Sequence, residues 1–472
     1  MADAASLFKQ AESAWRAGNG AAAKAAAEQV LADDPVHVGA LMILANLCFA
    51  TGDVAGARPH LERLAILMPD EVMIRNNLGR ACLAAEDLGA AAEAFTTVLE
   101  TAPANARALD GLGIVRHRQG DYAEAADLHG RAVAADPGFA AGWCNLGIAC
   151  TDLGRYADGA AALDRALTLD PDDARTRFNR AVLYFLMGDL AAGWPMYEAR
   201  LAFQAMATPP GQRWNGDALA GARVLLIPEQ GFGDVIQFAR FAPRVRDRGG
   251  VPVLAVPGVL TALMAAQGWD VEIADADNPP EAPLWCPVMS LGAVLGLTAE
   301  DISGAAYLRA PTADTREGAG PRIGLAWSGN PTHRRDRARS LRLDDLAPLF
   351  NVPGVRFVNL QVGLRPDDAA EIARRPDLFA ETPGLGSFAD TAAVVAGLDL
   401  VISADTAVLH LAGAMGRPTW GLLPFVPDWR WGLSGEATPW YDSLRLYRQP
   451  ALGDWPSVVT RVAADLGRIA KG

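Results

Sequence analysis

The sequence predicts a helical solenoid followed by two doubly wound α/β domains, and three observations carry that expectation. Pro35, Pro69, Pro103, Pro137 and Pro171 fall 34 residues apart. Gly18, Gly52, Glu86, Gly120, Gly154 and Gly188 keep the same spacing. From Arg223 onward the helical period gives way to continuous apolar runs separated by helix-like segments. A chain of 472 residues also exceeds what one core can organise, so a division into domains is expected.

Two further combs place small residues where paired helices must touch. One reads Ala23, Ala57, Ala91, Ala125, Gly159 and Gly193; the other reads Ala11, Ala45, Gly79, Gly113, Gly147 and Ala181. Small side chains let backbones approach, and proline cannot continue the helix before it. Each period is therefore a helix, a tight turn and a second helix with a proline stop. The pattern resembles the tetratricopeptide repeat, with Asn77-Leu78-Gly79, Asn145-Leu146-Gly147, Tyr122 and Tyr156 in family positions. The expected array covers residues 1–207 in about six repeats. The resemblance implies a surface that holds a peptide or a protein. The sixth unit lacks its closing proline and runs Gly193-Trp194-Pro195-Met196-Tyr197-Glu198-Ala199-Arg200-Leu201, as a solenoid does where it ends. Thr208-Pro209-Pro210-Gly211 reads as a hinge.

The α/β part follows in order. Val224–Ile227, Val251–Val256 and Val271–Ala274 are expected strands, with a helix over Asp234–Arg248 after the first. Pro311–Gly320 has linker composition. Beyond it Ile323–Trp327, Val355–Leu360, Leu398–Ile402 and Pro418–Leu423 repeat the strand pattern. The two halves, residues 208–310 and 311–472, are expected to face each other across a cleft at the carboxyl ends of their strands. A C-terminal helix over Asp454–Ile469 is placed to tie them together.

Composition excludes several functions. The net charge of −13 is spread along the chain, so phosphate neutralisation on a nucleic acid is not expected. The most apolar stretch, Val251–Trp269, is broken by Pro252, Pro257, Gly258 and Gly268, so no membrane span is predicted. The first residues show no basic start followed by an apolar core, so export is not expected. Five cysteines lack metal-ligand spacing, and a reducing cytoplasm fits them.

Four loops could carry chemistry. Pro228-Glu229-Gln230-Gly231-Phe232-Gly233-Asp234 lies between a strand and a helix; Gly231 and Gly233 permit positive φ and close backbone approach. Asp234 reads either as a helix cap or as a catalytic carboxylate. Trp327-Ser328-Gly329-Asn330-Pro331-Thr332-His333 continues through Arg337 and Arg339, and is either a phosphate clamp or a solvated charge run. Ser403-Ala404-Asp405-Thr406-Ala407 precedes a helix: Asp405 and Thr406 either cap it or, with its first N–H groups, suit a diphosphate. His410 sits one turn along, to reach a ligand or to pack. Asp428-Trp429-Arg430-Trp431 adds rings that either stack on a ligand or fill a gap.

Together these loops are similar to bacterial glycosyltransferases of the heptosyltransferase-related group that bear tetratricopeptide repeats. The motifs are Glu229–Asp234, Trp327–Asn330 with His333 and Asp336, Arg339-Ser340, Phe388–Ala392, Asp405–Ala407 with His410–Ala412, and Asp428–Trp431. The resemblance implies a GT-B fold and an inverting, metal-independent transfer from a nucleotide-sugar to a protein, with no cofactor. It makes Asp234 the general base. Gly231, Gly233, Ser328, Asn330, His333, Arg337, Arg339, Asp405, Thr406, Ala407 and His410 become donor and phosphate contacts, and Trp429 and Trp431 an aromatic loop. Where that group carries a lysine in the phosphate loop, this chain has arginines only. Some repeat-bearing relatives are associated with flagellin glycosylation, so the resemblance names flagellin as the acceptor. A scaffold with a degenerate transferase domain and a lipopolysaccharide sugar transferase remain as alternatives.

Overall fold

The computed structural model describes residues 4–203, 206, 208–312, 320–332, 336–380 and 384–470. These divide into two compact units, Met1–Thr176 and Arg177–Gly472.

The first unit is a stack of helix pairs, from Ala4–Arg16 and Gly20–Asp33 through Ala140–Asp152 and Tyr156–Leu169. The combs have a direct physical basis. Ala11, Ala23, Ala57, Ala91 and Ala125 are fully buried at the helix crossings. A Cβ on Gly79 would stand 2.6 Å from the Phe95 ring, and one on Gly113 would stand 2.7 Å from His129. The turn comb is a left-handed backbone position; even Glu86, its one non-glycine, adopts φ 60°.

The second unit opens with helix Ala174–Leu186, whose residues from Arg177 onward belong to it, and helix Leu190–Tyr197. The sixth repeat pair thus builds the α/β unit. Trp194 fills its interior: a Cβ on Gly292 would come 2.4 Å from the Trp194 ring.

Two parallel sheets follow. The first contains β1 (Gln212–Arg213), β2 (Arg223–Ile227), β3 (Val251–Val256), β4 (Glu272–Asp275) and β5 (Leu284–Pro287), in the order β1-β5-β2-β3-β4. The second contains β6 (Arg322–Ala326), β7 (Arg356–Asn359), β8 (Phe379–Ala380), β9 (Leu400–Ala404), β10 (Thr419–Leu423) and β11 (Leu444–Arg448), in the order β11-β10-β9-β6-β7-β8. Strand order reverses between β2 and β5 in one sheet and between β6 and β9 in the other. Ligands of doubly wound folds bind at such reversals.

Two sequence expectations need correction, and a third lies mostly outside the described residues. The helix expected over Asp234–Arg248 is a helix over Phe232–Ala239 and then a tighter turn over Ala242–Arg248, because Pro243 has no N–H to continue the ladder. The C-terminal helix is Trp455–Ile469, with Asp454 accepting from the Ser457 N–H as its cap. Its Val458, Val459, Val462 and Leu466 join the core of the second half with Leu343, Leu346 and Leu349, so it completes that half. Most of the linker expected over Pro311–Gly320 lies outside the described residues.

Candidate active site

All the loops singled out in the sequence and lying within the described residues follow the carboxyl ends of strands. The segment after β2 turns at Gln230, whose φ is 60°. Gly231 has φ −92°, so the positive φ expected of the two glycines is carried by Gln230 instead. Gly233 is needed for space. A Cβ there would lie 2.7 Å from His410 Cδ2 and 3.5 Å from Ala407 Cα, where helices Phe232–Ala239 and Ala407–Ala414 of opposite halves meet. Asp234 occupies the first turn of its helix and accepts from the Gly231 N–H at 2.7 Å. Its other carboxylate oxygen pairs with Arg430.

Arg430 reaches in from the loop after β10 and is 6% exposed. Its guanidinium donates to Asp234, to Gln237 and, at 2.8 Å, to Asp428. It also lies 4.4 Å from the Trp429 ring centroid. Arg430 stands between the two tryptophans of the Asp428–Trp431 motif, the one local signal in the sequence for its place in the site.

Beneath this pair, Glu229 is buried and receives two hydrogen bonds from Arg200, at 2.7 and 2.8 Å. The Met289 N–H after β5 donates to Glu229 at 3.0 Å. Gln230 donates to the Tyr197 hydroxyl at 2.9 Å. Arg200 and Tyr197 come from the irregular end of the last repeat. The loops flanking the first reversal are therefore fixed by a segment that the sequence showed only as a degenerate unit.

The second reversal is bridged in the same way. Arg339 donates to the backbone carbonyl of Asp405 at 3.0 Å, joining the segment after β6 to that after β9. Arg339 also faces Asp336 at 3.5 Å. The Ser328 N–H donates to Gln361 and the Gly329 N–H to Ser340, at 3.0 and 2.9 Å. These backbone donors are thus engaged within the protein. Asn330 folds onto Thr332. Arg337 is exposed. His333 lies outside the described residues.

Thr406 precedes helix Ala407–Ala414 without capping it through its side chain; its hydroxyl meets Ser403 Oγ at 3.2 Å. Burial, and then the neighbouring Asp428 charge, push Asp405 up to about 7. His410 is buried, 2.9 Å from the Tyr441 hydroxyl and stacked on Trp431. Burial and then the Arg430 charge lower it to about 3, so its ring is neutral. Trp429 packs among Phe185, Trp194, Tyr197 and Trp440. Both tryptophans are buried, and their rings fill the space between elements.

Among the described residues no cluster of three or more His, Cys, Asp or Glu side chains could hold a metal. No helix there is long and apolar enough to cross a membrane.

Comparison with known proteins adds to this geometry. The chain matches the tetratricopeptide repeat family over residues 8–72, 76–140 and 116–175. It matches glycosyltransferase family 9 (heptosyltransferase) over residues 369–451. It is similar to Protein FlbA of Caulobacter vibrioides, 31% identical over 337 residues, or 62% of this chain. It spans 55% of that protein's length. Among solved structures, PilW, described as a widely conserved type IV pilus biogenesis factor, is 21% identical with a TM-score of 0.36. The match covers 42% of this chain and 91% of PilW. The MamA protein is 21% identical with a TM-score of 0.33, over 36% of this chain and 94% of MamA. A helical repeat array followed by two parallel sheets is consistent with a GT-B-like architecture. This chain thus combines tetratricopeptide repeats with a glycosyltransferase family 9 domain of the heptosyltransferase type.

Proposed function

We propose that the protein is an inverting glycosyltransferase that moves a sugar from a nucleotide-sugar to a protein acceptor held by the repeats. The observation that carries this reading is the meeting of the two strand-order reversals. Asp234, after β2, lies against the loop after β10 and beside the helix after β9. Sugar transfer needs a proton acceptor on one side of a cleft and a phosphate site on the other. In this reading Asp234 takes the proton of the acceptor hydroxyl. The uncapped start of helix Ala407–Ala414, with Asp405 and Thr406, faces the diphosphate, and Arg337 adds charge. Arginines and backbone dipoles supply the electrostatic help, so neither metal nor cofactor is invoked. Residues 208–310 are the acceptor half and 311–472 the donor half.

For the acceptor, a trough of about 750 Å³ in the repeat unit is suited to an apolar segment of a protein. It is lined by Trp143, Leu146 and Cys150, by Ala126, Gly130 and Ala162, and by charged residues such as Arg131 and Asp158. Flagellin is the named candidate, modified on Ser or Thr, and the cytoplasm the place of reaction. UDP-, GDP-, dTDP-, ADP- and CMP-sugars should be screened by thermal shift on the full chain, because a donor in the cleft stabilises the fold by mass action. The donor so found should label flagellin. Asp234→Asn should keep donor binding and lose at least about 10²-fold in turnover. If no donor shifts the melting temperature, or the variant transfers at the wild-type rate, the reading fails.

A further inference from the structure

Arg430 has more to do than fill an interior. Its planar guanidinium donates to three acceptors in different directions: Asp234 and Gln237 on the helix after β2, and Asp428 on its own loop. Gln237 stands one helical turn after Asp234, so the fork grips a single face of that helix. Met289 Sδ, 4.0 Å from the guanidinium, and Trp429 close off the surroundings. One oxygen of Asp234 is thus held by the Arg430 guanidinium and the other by the Gly231 N–H. The plane of the carboxylate is fixed from two sides.

We propose that Arg430 is the positioning residue for Asp234, keeping its carboxylate ionised and aimed at the acceptor hydroxyl. This rests on the reading of Asp234 as the general base. A cation in contact favours the charged form of a carboxyl group, and a rigid fork fixes orientation in a way that a single ammonium cannot. Among the described residues, the titratable and charged groups around the pair include Tyr197, Arg200, Arg240, Arg339, Asp405, His410, Asp428 and Tyr441. Burial keeps the two tyrosines and His410 neutral, and the Arg430 guanidinium contacts Asp234 directly.

The test compares Arg430→Lys, Arg430→Gln and Asp234→Asn in the full chain, with release of nucleotide from the panel donor in the presence of flagellin as the probe. Arg430→Lys keeps the charge and guards against misfolding, and melting temperatures report whether each variant is folded. Both Arg430 variants should lose at least tenfold in kcat while KM for the donor changes less than about threefold. In Arg430→Gln the acid limb of the pH–rate profile should move to higher pH, because the carboxylate gains its proton sooner without this cation beside it. A folded Arg430→Lys with wild-type kcat and an unmoved acid limb in any folded variant, beside an inactive Asp234→Asn, overturns the positioning role and leaves the base in place. An active Asp234→Asn, or a wild-type chain that releases no nucleotide from any panel donor, overturns the reading of Asp234 and this inference with it.

Discussion

At the scale of single residues, the site holds two ionisable groups whose protonation the fold has moved in opposite senses. Unfolded, His410 takes a proton below about 6.5; folded, it resists until about 3. The stability it contributes is complete above the higher value and is lost as pH falls toward the lower, at up to about 1.4 kcal/mol per pH unit. Asp405 acts the other way. Its proton leaves near 3.9 in the unfolded chain and near 7 in the folded one, so between these values rising pH costs stability. In the native protein the two slopes offset each other between about pH 4 and 6.5. His410→Gln should therefore lose stability as pH rises through that window, and Asp405→Asn should gain it. Denaturant titrations at several pH values measure both slopes, and two variants that keep the wild-type slope would refute the assignments. Neither trend could be read from sequence, since it depends on what buries each group.

At the scale of elements, strands buried on both faces were the most legible, β4 and β7 were also read, and β1, β5, β8 and β11 were hidden. β2, β3, β6, β9 and β10 stand out as continuous apolar runs. β1 and β8 are two residues each, and β1 is exposed. β5 ends in Pro287, and the arginines of β11 disguise an edge strand. The loop positions of the candidate site followed from the strands. Its cross-connections did not: Arg430 and Asp234 are 196 residues apart, and no local rule relates them. The same limit applies to the arginine loop, where composition suggested one role and contacts separate two. Arg339 already serves Asp405 and Asp336, whereas Arg337 faces solvent. Arg337→Ala should weaken donor binding by about tenfold, the scale of one charge-assisted hydrogen bond, and leave the melting temperature unchanged. Arg339→Ala should weaken binding and also lower the melting temperature. Calorimetric titration with the donor distinguishes them; unaltered affinity in both would mark the stretch as a solvated face.

At the scale of the whole molecule, the end of the repeat array and the first sheet share one buried ion pair. Arg200 is fully buried and Glu229 nearly so. Replacing Arg200 with methionine strands a buried carboxylate and should cost about 3–5 kcal/mol. Adding Glu229→Met should restore part of that loss, because a well-packed apolar pair removes the uncompensated charge. Urea unfolding of the two variants decides the matter: equal stability of Arg200→Met and wild type would show the pair to be idle. A chain beginning at residue 208 lacks Trp194, Tyr197 and Arg200 and should melt below the intact unit. The sixth repeat has a further consequence, for how this protein can diverge. Repeats of a solenoid interact mainly with their neighbours, so units upstream can be duplicated or lost in steps of 34 residues at small cost. The final unit has no such freedom, because its side chains are fixtures of the α/β unit. Descendants of this chain can vary the number of their repeats while inheriting the last one unchanged.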